Sequence, residues 1–292
     1  MTRPLLSILI PTYSYPIGLE RILQALGDDL PEECELLIFD DSPTDEVKKL
    51  VAIFSLKCNC ILRYQQNLPA LGAVANWNAL LDSARGEYSF LLHHDEIPVE
   101  SNFVCSLIEK LKKNTATDVL LMDCIIVSAH SKVSWMHSPR WLRKIVAINC
   151  PSYLYRRNVI GPVSTLIVRS SIYPRFDENL KWLVDVDLYV RLLTTCRLCL
   201  VFTNLVIYSV KDREGSITST LKGEVKNLHF KEQTYLRNKG RKSFWMESEL
   251  GFWSGMVNIT ESVIWTVYRT ISRSSDICLR RSVPNNKTIE NT

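Results

Sequence analysis

Apolar and polar positions alternate between two rhythms over the first hundred residues. Mostly apolar runs of four to six residues, at Leu5–Ile10, Leu36–Phe39, Ile61–Tyr64 and Tyr88–Leu92, read as strands. Between them the apolar residues recur at helical spacing. Leu19, Ile22, Leu23 and Leu26 form one stripe that stops at Gly27, and Val47, Leu50, Val51 and Phe54 form a second. Val74, Trp77, Leu80, Leu81 and Ala84 form a third, leaving Asn76 and Asn78 off the buried face. Pro11 and Pro98 are expected to close the strands they follow, and Ser42 or Thr44 to cap the second helix.

Strand and helix in strict alternation predict an α/β fold, a mainly parallel sheet covered on both faces. The pattern continues with a helix carrying Phe103, Val104, Leu107, Ile108 and Leu111 and a long apolar strand from Asp118 to Val127. Residues 128–160 have no clear period and carry Trp135, Trp141, Tyr153, Tyr155 and five Arg or Lys between Arg140 and Arg157, as a loop-rich insertion would. A strand to Val168 follows. Leu183, Val186, Val190 and Leu193 then share a helical face, with Asp185 and Asp187 off it near the helix start, and Leu198–Val210 supplies one or two further strands.

The ends of these strands hold the chemistry. Two of the first four close on acids, Asp40-Asp41 and Asp95-Glu96, and in a parallel sheet those ends share an edge. His93 and His94 stand immediately before the second pair. Imidazole nitrogen beside carboxylate oxygen suits a divalent cation such as Mg²⁺ or Mn²⁺, and through it a phosphate-bearing ligand; a polar loop of solvated charges is the plainer alternative.

Composition narrows the class. At 292 residues, 46% hydrophobic and 23% charged, the chain can bury a full core, and its 10 glycines argue against disorder or repeats. The net charge of +4 is unevenly spread: residues 1–210 carry 21 Lys and Arg against 22 Asp and Glu, and residues 211–292 carry 14 against 9. A basic tail facing an anionic surface fits this better than a nucleic-acid-binding body. From Phe244 to Ile271 the tail is also rich in Trp, Phe and Val, the composition of a helix lying on a membrane or packing onto protein. Nine scattered cysteines show no disulfide or zinc framework and read as reduced thiols. Leu5–Ile10 is short, runs into Pro11 and lacks a small-residue cleavage site, so it reads as a strand rather than a signal peptide.

Four stretches in order resemble glycosyltransferase family 2, enzymes of the GT-A fold that move a sugar from a nucleotide diphosphate. Leu9-Ile10-Pro11-Thr12-Tyr13 is similar to the family's opening strand and nucleotide-contacting turn. Phe39-Asp40-Asp41-Ser42-Pro43-Thr44-Asp45 resembles its Asp-Asp-Gly-Ser-Thr-Asp segment, with Pro43 and the missing glycine as departures. Asn67, Gly72, Asn76, Ala84, Gly86 and Tyr88 match the spaced residues that follow, and Leu92-His93-His94-Asp95-Glu96 stands where the family has Asp-x-Asp-Asp. The likeness spans roughly residues 5–216.

The resemblance implies a GT-A domain over 1–220, with a nucleotide-binding half to about residue 98 and an acceptor-binding half beyond it. A helical region over 221–292, lying on a membrane or packing onto protein, would follow. It implies donor-nucleotide contacts from Pro11, Thr12, Tyr13, Asp40, Asp41, Asn76 and Arg213, the last with Ser216 in a loop closing over the pyrophosphate. Glu96, Gly161 and Ser164 would face the sugar or acceptor. Asp95 would hold a divalent cation, Mg²⁺ or Mn²⁺. His93 replaces the usual first aspartate. Either it is a ligand, or Asp95 and phosphate hold the metal alone, or metal dependence is weakened, and the preference of hard cations for oxygen favours the second. Asp185 would be the general base of an inverting transfer, although Val184 replaces the family's glutamate beside it; Asp187 is expected in a surface ion pair with Arg191. The implied partners are a nucleotide sugar and a glycan or polyprenyl-linked acceptor of surface-polysaccharide assembly (O-antigen or capsule), without nucleic acid. The implied location is the cytoplasmic face of the cell membrane. A catalytically silent sugar- or nucleotide-binding protein of the same fold is the alternative.

Overall fold

The computed structural model describes residues 3–27, 30–128, 133–211 and 223–241. The first half follows the predicted alternation: β1 (Leu6–Thr12), α1 (Pro16–Leu26), β2 (Cys34–Asp40), α2 (Glu46–Ser55), β3 (Ile61–Gln66), α3 (Ala73–Ser83) and β4 (Tyr88–Leu91). Then come β5 (Glu96–Pro98), α4 (Phe103–Lys113), β6 (Val119–Ser128), β7 (Ser134–Met136) and α5 (Arg140–Asn149). The last described elements are β8 (Leu166–Arg169), α6 (Val184–Thr195), β9 (Cys199–Lys211) and α7 (Val225–Asn238). Short 3₁₀ turns occupy Pro151–Tyr155, Val163–Thr165 and Ser170–Ile172.

One sheet runs through all of these strands in the order β3-β2-β1-β4-β8-β6-β9-β5, with β7 on β6. Pairing is parallel among β1, β2, β3 and β4 and between β6 and β9, and these pairs hold most of the register. The antiparallel β8 joins the two parallel groups.

Alternate residues of the strands feed two cores. Leu9, Leu37, Leu91, Val119 and Leu121 pack with Trp77 and Leu80 of α3 and with α6. Ile8, Ile10, Leu36, Ile38 and Phe90 pack on the other side with Leu19 and Ile22 of α1, Val47 and Val51 of α2 and Leu107 of α4. Burial on both sides is why β1, β2 and β4 read as mostly apolar runs rather than as alternation.

The sheet cannot be flat. Leu91 ends β4 and Glu96 begins β5, five residues apart, a reach of about 17 Å. In the sheet β8, β6 and β9 lie between them, four strand spacings or about 19 Å measured along a plane. The sheet therefore curls, and residues 92–95 cross its open side. A register shift between Leu121 and Asp123 of β6 marks the bend.

Several expectations are corrected. Pro11 does not stop its strand, for it pairs beside Phe39 within β1, beyond the end of β4; Pro98 does end a strand, but that strand is the edge strand β5, where it pairs beside Ile207, and not a continuation of β4. In both places one flank carries no ladder, so a missing N–H is tolerated. Residues 128–160 hold β7, α5 and a 3₁₀ turn rather than only loops. Of the one or two strands expected over Leu198–Val210 the structure has one, β9. Asp45 stands at the N-cap of α2, and Ser42 instead accepts the Ser14 N–H at 2.8 Å. Phe244–Ile271, Arg213, Ser216 and His130 lie outside the described residues. Among the described residues no helix is long and apolar enough to cross a membrane.

Candidate active site

The carboxyl ends of β1, β2 and β4 and the start of α6 border one cavity of about 1940 Å³. Pro11, Thr12, Tyr13, Asp41, Asn76, His93, Asp95, Glu96 and Asp185 all line it. Acids from three separate parts of the chain thus face a single space.

On the β2 side the two adjacent aspartates separate. Asp40 is fully buried; its carboxylate accepts the Ser42 N–H at 2.8 Å and the Tyr64 hydroxyl at 2.9 Å, and it does not line the cavity. Asp41 does. It accepts the Asn67 amide at 2.8 Å, the Leu71 N–H at 3.2 Å and the Gly72 N–H at 2.9 Å, tying the 67–72 loop to the end of β2. Gly72 has φ +88°, a left-handed conformation open to glycine. Asn76, expected off the buried face, is buried: it donates to the Phe39 carbonyl at 3.1 Å and accepts from Asn67 at 3.3 Å. Asn78 is buried too, exchanging hydrogen bonds with the Phe176 backbone. Side-chain amides satisfied by backbone can occupy positions that a count of apolar residues reads as exposed. Thr12 is buried with no partner for its hydroxyl, and Tyr13 is 60% exposed at the rim.

Residues 93–96 form a ligand cluster. One atom from each of His93, Asp95 and Glu96 lies within 4.8 Å of the others, a set that could hold a metal ion. Glu96, expected to face sugar or acceptor, belongs to this cluster, with its carboxylate 3.6 Å from His93 Nδ1. Ser164 stands behind: its hydroxyl accepts the His93 N–H at 3.0 Å and donates to Glu96. The His93 ring lies 4.7 Å from Trp77, which in turn meets Phe176 edge-on. Burial pushes the His93 pKa down to about 4, against a partial lift from Asp95. Burial and the neighbouring Asp95 together push the Glu96 carboxyl well above the usual range. A buried imidazole whose Nε2 has no partner, beside two crowded carboxyls, fits a divalent cation. Gly161 and Ser164 are both buried and do not line the cavity. The Gly161 carbonyl accepts the Tyr189 hydroxyl at 3.0 Å.

Asp185 begins α6 with Oδ1 buried and unpartnered. Desolvation alone raises its pKa to about 7, where a carboxylate is poised to take a proton at neutral pH. Asp187, two residues on, is not a surface group. It is fully buried and bound by Arg191 at 2.7 Å, Arg241 at 3.2 Å and Tyr155 at 3.2 Å.

Sequence reading missed α7 altogether as part of the site. Its Glu232 accepts the N–H groups of Lys181, Trp182 and Leu183 just before α6, and His229 lines the cavity. Apart from its 3.6-residue period this polar helix carries no signal of where it docks. Trp77, the wall behind His93, was legible only as a core residue.

Known proteins of similar fold carry nucleotide sugars. S. aureus TarS, solved in complex with UDP-GlcNAc, superposes with a TM-score of 0.59 at 21% identity, covering 74% of this chain and 60% of that one. A mannosyltransferase from Pyrobaculum calidifontis, solved with GDP-Man and Mn²⁺, gives 0.55 at 12% identity over 94% and 87%. Among curated sequences, a Campylobacter jejuni GalNAc(5)-diNAcBac-PP-undecaprenol beta-1,3-glucosyltransferase is 25% identical over 113 residues, 39% of this chain and 36% of that protein. An uncharacterized Mycobacterium tuberculosis protein is 31% identical over 94 residues, 32% of this chain and 28% of that protein. These matches span about a third of either relative's length. The architecture is the GT-A type expected from the sequence, a curled sheet flanked by helices. With the model of glycosyl transferase family 2 matching residues 7–175, more than half of its length, the chain belongs to that family.

Proposed function

We propose that the protein is an inverting glycosyltransferase that moves a sugar from a nucleotide diphosphate to a hydroxyl of a lipid-linked or growing polysaccharide acceptor. The observation that carries this reading is the meeting of Asp41, Asp95 and Asp185, from three elements, on one cavity.

Thr12, Tyr13 and Asn76 border the space for the nucleoside, and Asp41 holds the loop that closes it. His93, Asp95 and Glu96 would hold a divalent cation, Mg²⁺ or Mn²⁺, which neutralises charge on a diphosphate leaving group. Asp185 takes the proton of the acceptor hydroxyl as that oxygen bonds to the anomeric carbon. The bond from that carbon to the diphosphate oxygen breaks, and the nucleotide diphosphate leaves with the electron pair. A pKa near 7 lets Asp185 release the proton to water between turnovers. Arg213, in the sequence just past β9, is assigned to the pyrophosphate by position in the chain.

The C-terminal segment from Phe244, aromatic and then basic, supports work at the cytoplasmic face of a membrane, and the Campylobacter relative's undecaprenol-linked acceptor supports a polyprenyl carrier. A second reading, a silent sugar- or nucleotide-binding protein, is favoured by His93 and Val184, which replace acids of the family pattern.

The test is thermal stabilisation by UDP-GlcNAc, GDP-mannose and related donors with and without Mn²⁺, followed by nucleotide release. Stabilisation with turnover supports the enzyme. Stabilisation without turnover by any donor and acceptor pair supports the silent reading, and no response to any donor removes both.

A further inference from the structure

Helix α5 is built inside out. At 3.6 residues per turn Trp141, Ile145 and Ile148 fall within about 60° of one another, and they are 61%, 47% and 51% exposed. The inward side carries Arg143, Val146 and Ala147, with Arg143 buried against Asp123 and the Met122 carbonyl. An ordinary surface helix turns its large apolar residues inward. The other exposed large apolar side chains among the described residues fall one or two to an element, which needs no explanation.

Charge around this row has one sign. Helix α5 itself carries Arg140, Arg143 and Lys144 and no Asp or Glu. Asp123 is shared by Arg140 and Arg143, so that trio keeps a positive charge, and the exposed Lys144 flanks the apolar row. A second copy of this face, or the chain's own C-terminal segment with 14 Lys and Arg against 9 Asp and Glu, would meet it with like charge. Three apolar side chains on one helix are also far short of a stable dimer's contact area.

We infer that the outer face of α5 docks on an anionic lipid bilayer, with Trp141, Ile145 and Ile148 entering the headgroup boundary and Lys144 and Arg140 meeting lipid phosphates. The placement serves the cavity. Trp135 and His137 just before α5, and Leu154 and Tyr155 just after it, line the cavity, so the helix joins two of its walls and would bring them to the bilayer surface. For its purpose the inference rests on the proposed lipid-borne acceptor; the docking itself needs neither donor nor acceptor.

The experiment is sedimentation of the full chain with vesicles of phosphatidylglycerol and phosphatidylcholine, and of phosphatidylcholine alone. The expected result is binding to the anionic vesicles that weakens with salt, and a partition coefficient at least about tenfold lower for Ile145→Glu/Ile148→Glu. Brominated lipid should quench part of the wild-type tryptophan fluorescence, and Trp141→Phe should remove that part. Equal binding by the double variant, or unchanged quenching in Trp141→Phe, overturns the proposal in favour of the C-terminal segment. Absence of vesicle binding overturns it outright, and a wild-type dimer that the double variant splits would assign the face to self-association. Because neither isoleucine lines the cavity, the double variant should keep the thermal response to nucleotide sugars, so a failure here leaves the transfer reading standing.

Discussion

The carboxylate of Glu232 on α7 accepts the backbone N–H of Leu183 at 2.8 Å, two residues before Asp185. It also takes the N–H groups of Lys181 at 2.7 Å and Trp182 at 3.1 Å, so a buried acid from the end of the described chain holds the turn that leads into the helix bearing the proposed base. In Glu232→Gln one half of that acceptor becomes a donor facing N–H groups, at a cost of about 1–3 kcal/mol. The expected outcome is a lower melting temperature and a reduced kcat, with donor KM changed little because Glu232 does not line the cavity. Steady-state kinetics at saturating donor checks it.

Asp185→Asn should retain donor binding and lose transfer. In the wild type kcat should rise with pH through about 7, the value burial gives this carboxyl, as the base becomes ionised. Stability runs the other way. The folded-state pKa lies above the ordinary 3.8, so the folded state binds the extra proton, and stability falls as pH climbs from near 4 to near 7. The Asn variant lacks that loss. Its melting temperature should exceed the wild type's above pH 7, with the gap closing below pH 4.

Asp95→Asn and His93→Ala should remove the extra stabilisation that Mn²⁺ adds to UDP. If three side chains share the ion, each loss should weaken the metal effect by about tenfold or more. Calorimetric titration of Mn²⁺ in the presence of UDP measures this, and unchanged affinity in His93→Ala would leave Asp95 and phosphate as the holders.

Asp41→Asn should weaken nucleotide binding without touching the metal cluster. The amide replaces a charged acceptor of three hydrogen bonds, about 1.5–3 kcal/mol, and points an N–H₂ at a backbone donor. The 67–72 loop loosens, and UDP affinity should drop by about tenfold to a hundredfold.

Gly18→Ala tests the packing under the ligand loop. A Cβ at Gly18 would sit 2.4 Å from the His94 carbonyl oxygen and 2.1 Å from the Tyr15 ring. The ring can swing away, but the backbone can move only by shifting residues 93–96. A fall in Mn²⁺ affinity with modest loss of melting temperature is expected from titration and thermal melts.

The first hundred residues were legible because their physics is local. Runs such as Leu36–Phe39 need burial on both faces, stripes such as Leu19–Leu26 need one face, and the acids that break the rhythm at Asp41 and Asp95 fall at strand ends. What escaped depends on contacts across long sequence separation. Ser164 reaches His93 and Glu96 over about seventy residues, Asn78 meets Phe176 over about a hundred, and Asp187 finds Arg241. No periodicity encodes such pairs. Polar residues satisfied inside the protein are read as surface when only neighbours in sequence are consulted.

Residues 92–95 join two strands that the sheet order keeps three strands apart. They turn rather than stretch: the Glu96 N–H returns to the His93 carbonyl at 3.0 Å, so the side chains that could hold a cation sit on one tight turn. Deleting or inserting one residue there would break that turn, and His93, Asp95 and Glu96 would lose the spacing that brings one atom of each within 4.8 Å of the others. The number of residues in this turn is therefore a tighter constraint than the identity of any one of them, because the backbone bond between His93 and Glu96 depends on spacing and not on side chains.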